Sequence, residues 1–420
     1  MRKLIACGVG LVAALAFTVP GAFGEAEQTP GLTARSITIG GTFPLTGPAS
    51  AYAPIPLGMK AYFAYVNATR TGPDKKRGVF GRQIIWKYYN DQFSPAQTDQ
   101  FTRRLVEQDR VFATVGQLGT ESNLAVRSYL NDRRVPHTLV STGASYWGTQ
   151  GKQYPWTIGW QPDYVAEGRL YGIHIKQNHP GKKIAILYQQ DDYGKDYLYG
   201  VRYALGPTYV RNNVVATEDY PVGATSLSSQ MARIRASGAQ VLVLLSLTTP
   251  TVIAFRTANA FGIRPDAIYM NSVSAIKPVM DAVNANPGQN YVNGTISVAY
   301  FKDPQNSRWN NDRAMRLYRD IISKYGGGAT ADDPQVMYGV AKAATFVQAL
   351  YKAGKALTRP KLMNALTNMN STNQFLLPGM KQRTGKKDRF IISQMQLQRH
   401  TGGNWNPFGG LIEGRPSRAR

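Results

Sequence analysis

Cysteine is all but missing from this chain of 420 residues: the one that occurs, Cys7, lies in the N-terminal apolar stretch. Leu4-Ile5-Ala6-Cys7 has the outline of a lipoprotein processing box, but the apolar run follows the cysteine instead of preceding it, which argues against lipidation. Past residue 7, disulfides, thiol nucleophiles and cysteine-held metals are excluded. Histidine is nearly as scarce, and His137, His174, His179 and His400 share no metal-ligand spacing. The chain has no G-x-S-x-G elbow, no H-E-x-x-H helix and no Walker-type phosphate loop, so an exported α/β enzyme has little chemistry to work with. Acidic residues are short as well, 25 Asp+Glu against 49 Lys+Arg, for a formal net charge of +24. Such a surplus can serve a polyanion. Here the cations are scattered in pairs such as Arg103-Arg104 and Lys182-Lys183, with no basic arm or finger, so no nucleic-acid partner is expected. Long apolar runs are absent apart from Leu4 to Val19, which is shorter than the ~20 residues a membrane span needs.

What is present starts with that run. Arg2 and Lys3 precede it, Pro20-Gly21 follow it, and Ala22-Phe23-Gly24 has the small-x-small form of a signal-peptidase site. Residues 1–24 therefore read as a signal peptide removed on export, and the remainder as periplasmic.

A strand, a polar turn carrying a tyrosine, and a helical pattern occur together at Ser36–Tyr52 (SITIGGTFPLTGPASAY) and return at Lys183–Tyr197 (KIAILYQQDDYGKDY). Around each copy the strand–helix alternation continues. In the first unit strands are expected at 37–44, 84–89, 111–115 and 138–140. Helices are expected from Pro56, from Ser94-Pro95-Ala96-Gln97 with a capping box, and over 121–130. In the second, strands are expected at 184–188, 214–217, 241–245 and 268–270, with helices near 195–205, 227–236, 250–261 and 276–283. This order predicts an α/β protein of two Rossmann-like lobes, each a parallel sheet flanked by helices, with ligand-bearing loops at the carboxyl ends of the strands. Two long helical patterns (310–324 and 334–352), a third from Thr358, and strands at 390–392 and 395–397 are too few for a third domain. They read as segments completing the two lobes, with 411–420 as a disordered tail.

The stretches GTFPLTGPASAY (41–52), VGQLGTESN (115–123), STGAS (141–145), QQDDYGKDY (189–197) and AQVLVLLS (239–246), in this order and spacing, resemble the periplasmic solute-binding proteins of ABC transporters for branched-chain amino acids and related compounds. The likeness runs from about Ile37 to Phe408. It implies the type I periplasmic binding fold: two lobes (36–158 plus 300–375, and 161–296 plus 379–410) joined by three crossings near 158–161, 295–300 and 375–380. It further implies a monomer that captures a small carboxylate by hinge closure and hands it to a membrane permease, without catalysis and without a cofactor or metal.

Several residues take roles from this resemblance. Tyr52 and Tyr193 would wall the pocket from the two lobes, though Tyr52 also reads as an ordinary loop tyrosine. Thr120 opens a helix whose free N–H groups suit a carboxylate, or it is a plain N-cap. Gly143 and Ala144 would let the ligand approach the backbone, and Ser145 would offer both hydroxyl and N–H. Thr248 and Val273 stand where the amino-acid binders place a tyrosine and a glutamate for the ligand's ammonium. Because valine cannot neutralise an ammonium, either another acid serves or the ligand has no amine. Asp163 is that other acid or a helix N-cap. The expected ligand is thus a hydrophobic amino acid, or an aromatic or aliphatic acid lacking the amine. A ligand-sensing module of the same fold is the remaining alternative.

Overall fold

The computed structural model describes residues 29–284, 291–385 and 388–414. The expected signal peptide lies outside the described residues. Among the described residues no helix is long and apolar enough to cross a membrane.

The first unit runs β1 (Ser36–Phe43), a short 3-10 turn (Ser50–Tyr52), α1 (Ile55–Ala68), β2 (Gln83–Asn90), α2 (Pro95–Glu107), β3 (Ala113–Val115), α3 (Thr120–Asp132), β4 (His137–Val140), α4 (Tyr146–Thr149) and β5 (Thr157–Gly159). Its strands form one parallel sheet in the order β2-β1-β3-β4-β5. The second unit runs α5 (Tyr164–Asn178), β6 (Ile184–Gln189), α6 (Asp192–Leu205), α7 (Pro207–Asn213), β7 (Val214–Tyr220), α8 (Ser228–Ala236), β8 (Val241–Leu245), α9 (Thr248–Ala260), β9 (Ala267–Met270), α10 (Lys277–Asn284) and β10 (Ile296–Ala299). The chain then returns to the first unit with α11 (Arg313–Tyr325), α12 (Pro334–Ala353), α13 (Arg359–Thr367), β11 (Asn370–Ser371) and β12 (Gln382–Arg383). It finishes in the second with β13 (Gln394–Thr401), β14 (Asn404–Pro407) and β15 (Ile412–Glu413). The second sheet is ordered β14-β13-β10-β9-β8-β6-β7, with β13 and β14 antiparallel at one side. The expected fold class, two α/β lobes of type I form, is the observed one.

The order of each parallel sheet reverses once, between β1 and β3 in the first and between β6 and β8 in the second. Loops leaving adjacent strands there diverge and open a crevice at the carboxyl ends. Tyr52 and Thr120 follow β1 and β3; Tyr193 and Thr248 follow β6 and β8.

Both lobes seat one helix directly on another through glycine. A Cβ on Gly58 of α1 would lie 2.1 Å from Val336 O, and one on Gly339 of α12 would lie 2.2 Å from Ile55 O. In the second lobe, Gly168 of α5 and Gly200 of α6 play the same part. Helix α12 is buried without interruption from Pro334 to Val347, as a helix enclosed on every side must be.

Three details differ from the sequence reading. Phe375, Leu376, Leu377 and Met380 do not cross between lobes; they remain in the first core together with Ile391 and Ile392. The crossing comes at Ser393, just before β13 enters the second sheet, and Ile392 N–H bonds Trp160 O at 3.0 Å beside the first crossing. The apolar run at 375–380 is core filling. Inside the expected tail, Ile412–Glu413 form a strand, and residues 415–420 lie outside the described residues. Ile412 and Glu413 pair with Met395 and Gln394 because Ile412 has an apolar cluster to cover. Finally, Ser94 precedes α2 without a side-chain cap. Asp91 braces the turn before the helix instead, accepting from Phe93 N–H and from Thr98 Oγ, both at 3.0 Å.

Candidate functional site

Between the two sheets lies a cavity of about 250 Å³. This is below the ~300–1,000 Å³ usual for small-molecule sites and suits a small solute. The first lobe contributes Tyr52, Ile55 and Phe93, the start of α3 (Gly119–Ser122), Ser141 and Thr142 after β4, and Gln335 and Tyr338 from α12. The second contributes Tyr164, Gln189, Asp191, Tyr193, Val222, Leu247, Ser272, Val273 and Ile276, and the crossings add Gln161, Tyr300 and Phe301. Most of this wall is aromatic or aliphatic. Among the described residues no lysine, arginine or histidine lines it; its acids are Glu121 and Asp191.

The polar end is the start of α3. Gly119 precedes it at φ 99°, a conformation glycine adopts freely. Asn123 N–H bonds Gly119 O at 3.2 Å, while the amides of Thr120, Glu121 and Ser122 precede the first carbonyl they could reach within the helix. Their dipoles converge on the cavity, where they favour negative charge. Thr120 Oγ and Thr142 Oγ share a hydrogen bond of 2.7 Å at the same spot. Asn123 holds the turn from beneath, donating to Gln117 O (3.0 Å) and Gly119 O (2.6 Å) and meeting His137 Nε2 at 2.7 Å.

The acids at the rim are already engaged. Asp191 caps α6, accepting from Gly194 N–H at 3.0 Å and from Gln189 Nε2 at 2.5 Å. Glu121 accepts from Asp192 N–H of the opposite lobe at 3.2 Å. Burial pushes both carboxyls above their ordinary range.

Tyr52, Thr120, Tyr193 and Val273 all face the cavity. Tyr52, 5 % exposed, also ties the lobes together: its hydroxyl donates to Val273 O at 3.2 Å. Tyr193 meets Asn271 through its hydroxyl and Tyr164 edge-on at 5.2 Å between ring centres.

The other five expected residues stand behind the wall. A Cβ on Gly143 would lie 2.1 Å from Pro162 O, so the close backbone approach there is to the first crossing. Ala144 is packed with Val140, Trp147 and Phe390. Ser145 does receive a carboxylate through both its N–H (2.8 Å) and its Oγ (3.3 Å), but the carboxylate is that of Asp196 on α6. The chemistry expected for a ligand serves an inter-lobe tie. Asp163 caps α5, accepting from Val165 N–H at 2.8 Å, the N-cap alternative of the sequence reading. Thr248 starts α9, buried beside the Tyr52 hydroxyl.

A second-lobe acid sits one layer below Val273. Glu167 is 1 % exposed and accepts from Ser272 N–H (2.6 Å), Ser272 Oγ (2.7 Å), Tyr171 OH (2.7 Å) and Tyr197 OH (3.0 Å). Burial raises its carboxyl above the usual range, and the four donors act against that. Sequence reasoning missed this acid, and also Tyr338 and Gln335, because nothing local to α5 or α12 marks them. Ser141, Thr142 and Asp191 did lie inside the quoted motifs.

Two α/β lobes that meet at a small cavity between their sheets have the form of a type I periplasmic binding protein. The chain belongs to the periplasmic binding protein family, whose model it matches over residues 36–404. It is 21% identical over 277 residues to an amino acid binding protein of Pseudomonas aeruginosa, covering 66% of this chain and 70% of that one. Its fold is similar to that of a branched-chain amino acid ABC transporter protein from Thermus thermophilus with bound valine (TM-score 0.76, 16% identity, 91% and 97% of the two chains covered). It is also similar to that of a solute-binding protein of an ABC transporter from R. palustris in complex with 4-hydroxybenzoate (TM-score 0.73, 17% identity, 91% and 98% covered). The family binds solutes and is not one of enzymes.

Proposed function

We propose that this protein captures a small carboxylate with an apolar or aromatic body and delivers it to a membrane permease of the ABC type. It would act as a monomer in the periplasm after removal of residues 1–24. The observation that carries the reading is the start of α3, whose unbonded amides and paired threonine hydroxyls face an otherwise tyrosine-rich, aliphatic cavity. A carboxylate bound there takes charge-assisted hydrogen bonds worth about 1.5–3 kcal/mol each. Tyr52 and Tyr193, with Val273 and Ile276, would enclose the apolar part. Closure about the crossings brings the two walls together, as in other hinged binders. The relatives solved with valine and with 4-hydroxybenzoate both carry a carboxylate on an apolar body, which supports this class for the present chain. If the ligand bears an amine, Glu121 and Asp191 are its partners; an acid without an amine leaves them to their present donors.

A thermal-shift screen of hydrophobic amino acids against aromatic and aliphatic acids, followed by calorimetry, tests the proposal. One acid should bind with micromolar affinity, about −8 kcal/mol. At a hundredfold excess over Kd it should stabilise the fold by about 2.7 kcal/mol. No stabilisation by any member of either class sinks the reading.

A further inference from the structure

Behind the first-lobe wall stands a lysine that the proposed function leaves unused. Lys342 lies midway along α12 and is 0 % exposed. Its Nζ donates to Ser141 Oγ and, at 3.0 Å, to Tyr338 OH. It also lies 4.3 Å from the ring centre of Tyr338 and 5.1 Å from that of Trp160. Among the described residues no carboxylate pairs with it. The space it occupies is purpose-built: a Cβ on Gly116, in the turn after β3, would come within 3.0 Å of the lysine Cδ.

Buried cations normally have an acid beside them, because leaving water without one is costly. Burial alone holds this lysine well below the ordinary range, with no acid pulling it back. Its two oxygen partners both line the cavity. Each has its own proton committed elsewhere, Ser141 Oγ to Gly116 O at 2.7 Å and Tyr338 OH to Gln161 Oε1 at 2.6 Å. They therefore meet Nζ as acceptors and tie it to the wall. Ser141 adjoins Thr142, which bonds Thr120 at the start of α3. The amine is thus one residue's thickness from the place where a carboxylate would lie, and in a region this dry an anion there draws it to its protonated form.

On the carboxylate reading given above, we propose that Lys342 supplies the buried counter-charge for the ligand's carboxylate. It acts through Ser141 and Tyr338 without touching the ligand, and makes the cavity select an anion over its neutral isostere. A lysine that merely filled space between α12 and the sheet would support every ligand alike, so discrimination is the property to measure.

The test uses the whole exported protein and its Lys342→Met and Lys342→Gln variants. Calorimetry is run with matched pairs: benzoate and benzamide, 4-hydroxybenzoate and its amide, octanoate and octanamide, leucine and leucinamide. The wild type should bind at least one acid about tenfold or more tighter than its amide, and the variants should bind that acid about 30-fold more weakly while the amide changes less than about threefold. Equal losses for acid and amide, or no loss, overturn the inference. So does unfolding of both variants, which would make the lysine structural. Failure of the wild type to bind any of the acids removes the carboxylate reading itself, and the inference with it.

Discussion

Each lobe hides one charge just behind its side of the cavity, and the two are handled in opposite ways. In the second lobe, Glu167 has four donors, two of them from Ser272 at the cavity wall. Its bonding capacity is met entirely by the protein. In the first lobe, Lys342 has three protons to give and two neutral oxygens to receive them, with aromatic faces around the rest. The acid is therefore a fastening, which fixes the Ser272–Val273 turn whether or not a ligand is bound. The lysine is an incomplete arrangement, and completion has to come from the cavity side. On the family resemblance, Val273 would stand where the amino-acid binders place a glutamate. The negative charge of this lobe lies one layer deeper and is spent on the protein itself.

The most direct way to break this contrast is to remove the fastening. Glu167→Ala leaves the Tyr197 hydroxyl and both Ser272 donors without their acceptor inside the second core, while Tyr171 OH keeps Met270 O at 2.9 Å, and should cost about 3–5 kcal/mol in urea unfolding. Lys342→Met, which removes an unpaired charge in favour of an apolar chain of similar length, should cost far less. Equal losses would mean that both charges are structural.

The next effect concerns the floor beneath α3. His137 is fully buried, and burial first, then the charge of Arg127, lowers its pKa to about 3 from an ordinary 6.5. A histidine depressed in the folded state contributes stability that is present above its unfolded pKa and lost as pH falls from 6.5 towards about 3. The slope is about 1.4 kcal/mol per pH unit, or ~2 kcal/mol by pH 5. Asn123 Nδ2 donates to Gln117 O and Gly119 O, so His137 Nε2–H donates to its Oδ1, and the acid proton enters at Nδ1, which faces Thr157 Oγ at 3.5 Å. The check is unfolding of the wild type and of His137→Gln at pH 7, 6 and 5. Because burial also lowers the pKa of His174, His179 and His400, both proteins should lose stability on acidification, but between pH 7 and 5 the wild type should lose about 2 kcal/mol more than His137→Gln. Parallel curves would acquit the histidine.

How much of this was legible in the chain follows from how local each signal is. The strand–helix rhythm and the two tyrosine-bearing turns are local patterns, and they led to the fold; Tyr52, Thr120, Tyr193 and Val273 were singled out by the family resemblance, and all four line the cavity. Sheet reversal points then carry those turns to one crevice. Ser145 shows the opposite case. Its hydroxyl and amide do hold a carboxylate, yet that carboxylate is on Asp196, in the other lobe, and no local pattern reveals the partner. Lys342 was hidden for a further reason. In a helical pattern a lone lysine reads as the solvent face, whereas α12 has no solvent face from Pro334 to Val347. Glu167 disappeared in the same way into α5.

The smallest effect separates a tie between the lobes from a charge behind one of them. Asp196 joins α6 to Ser145 only when the lobes are together, so it bears on closure, a step common to every ligand. Asp196→Ala removes both bonds and should weaken acid and amide alike by about tenfold, the equivalent of ~1.4 kcal/mol. Ser145→Ala keeps the backbone bond at 2.8 Å and loses the longer one at 3.3 Å. Its effect should be about two- to threefold, again without preference. The ratio of acid to amide affinity is the decisive reading. If Asp196→Ala or Ser145→Ala lowers that ratio as Lys342→Met does, the tie and the buried lysine act on the same event. The distinction between a lobe-joining contact and a ligand-facing charge then fails.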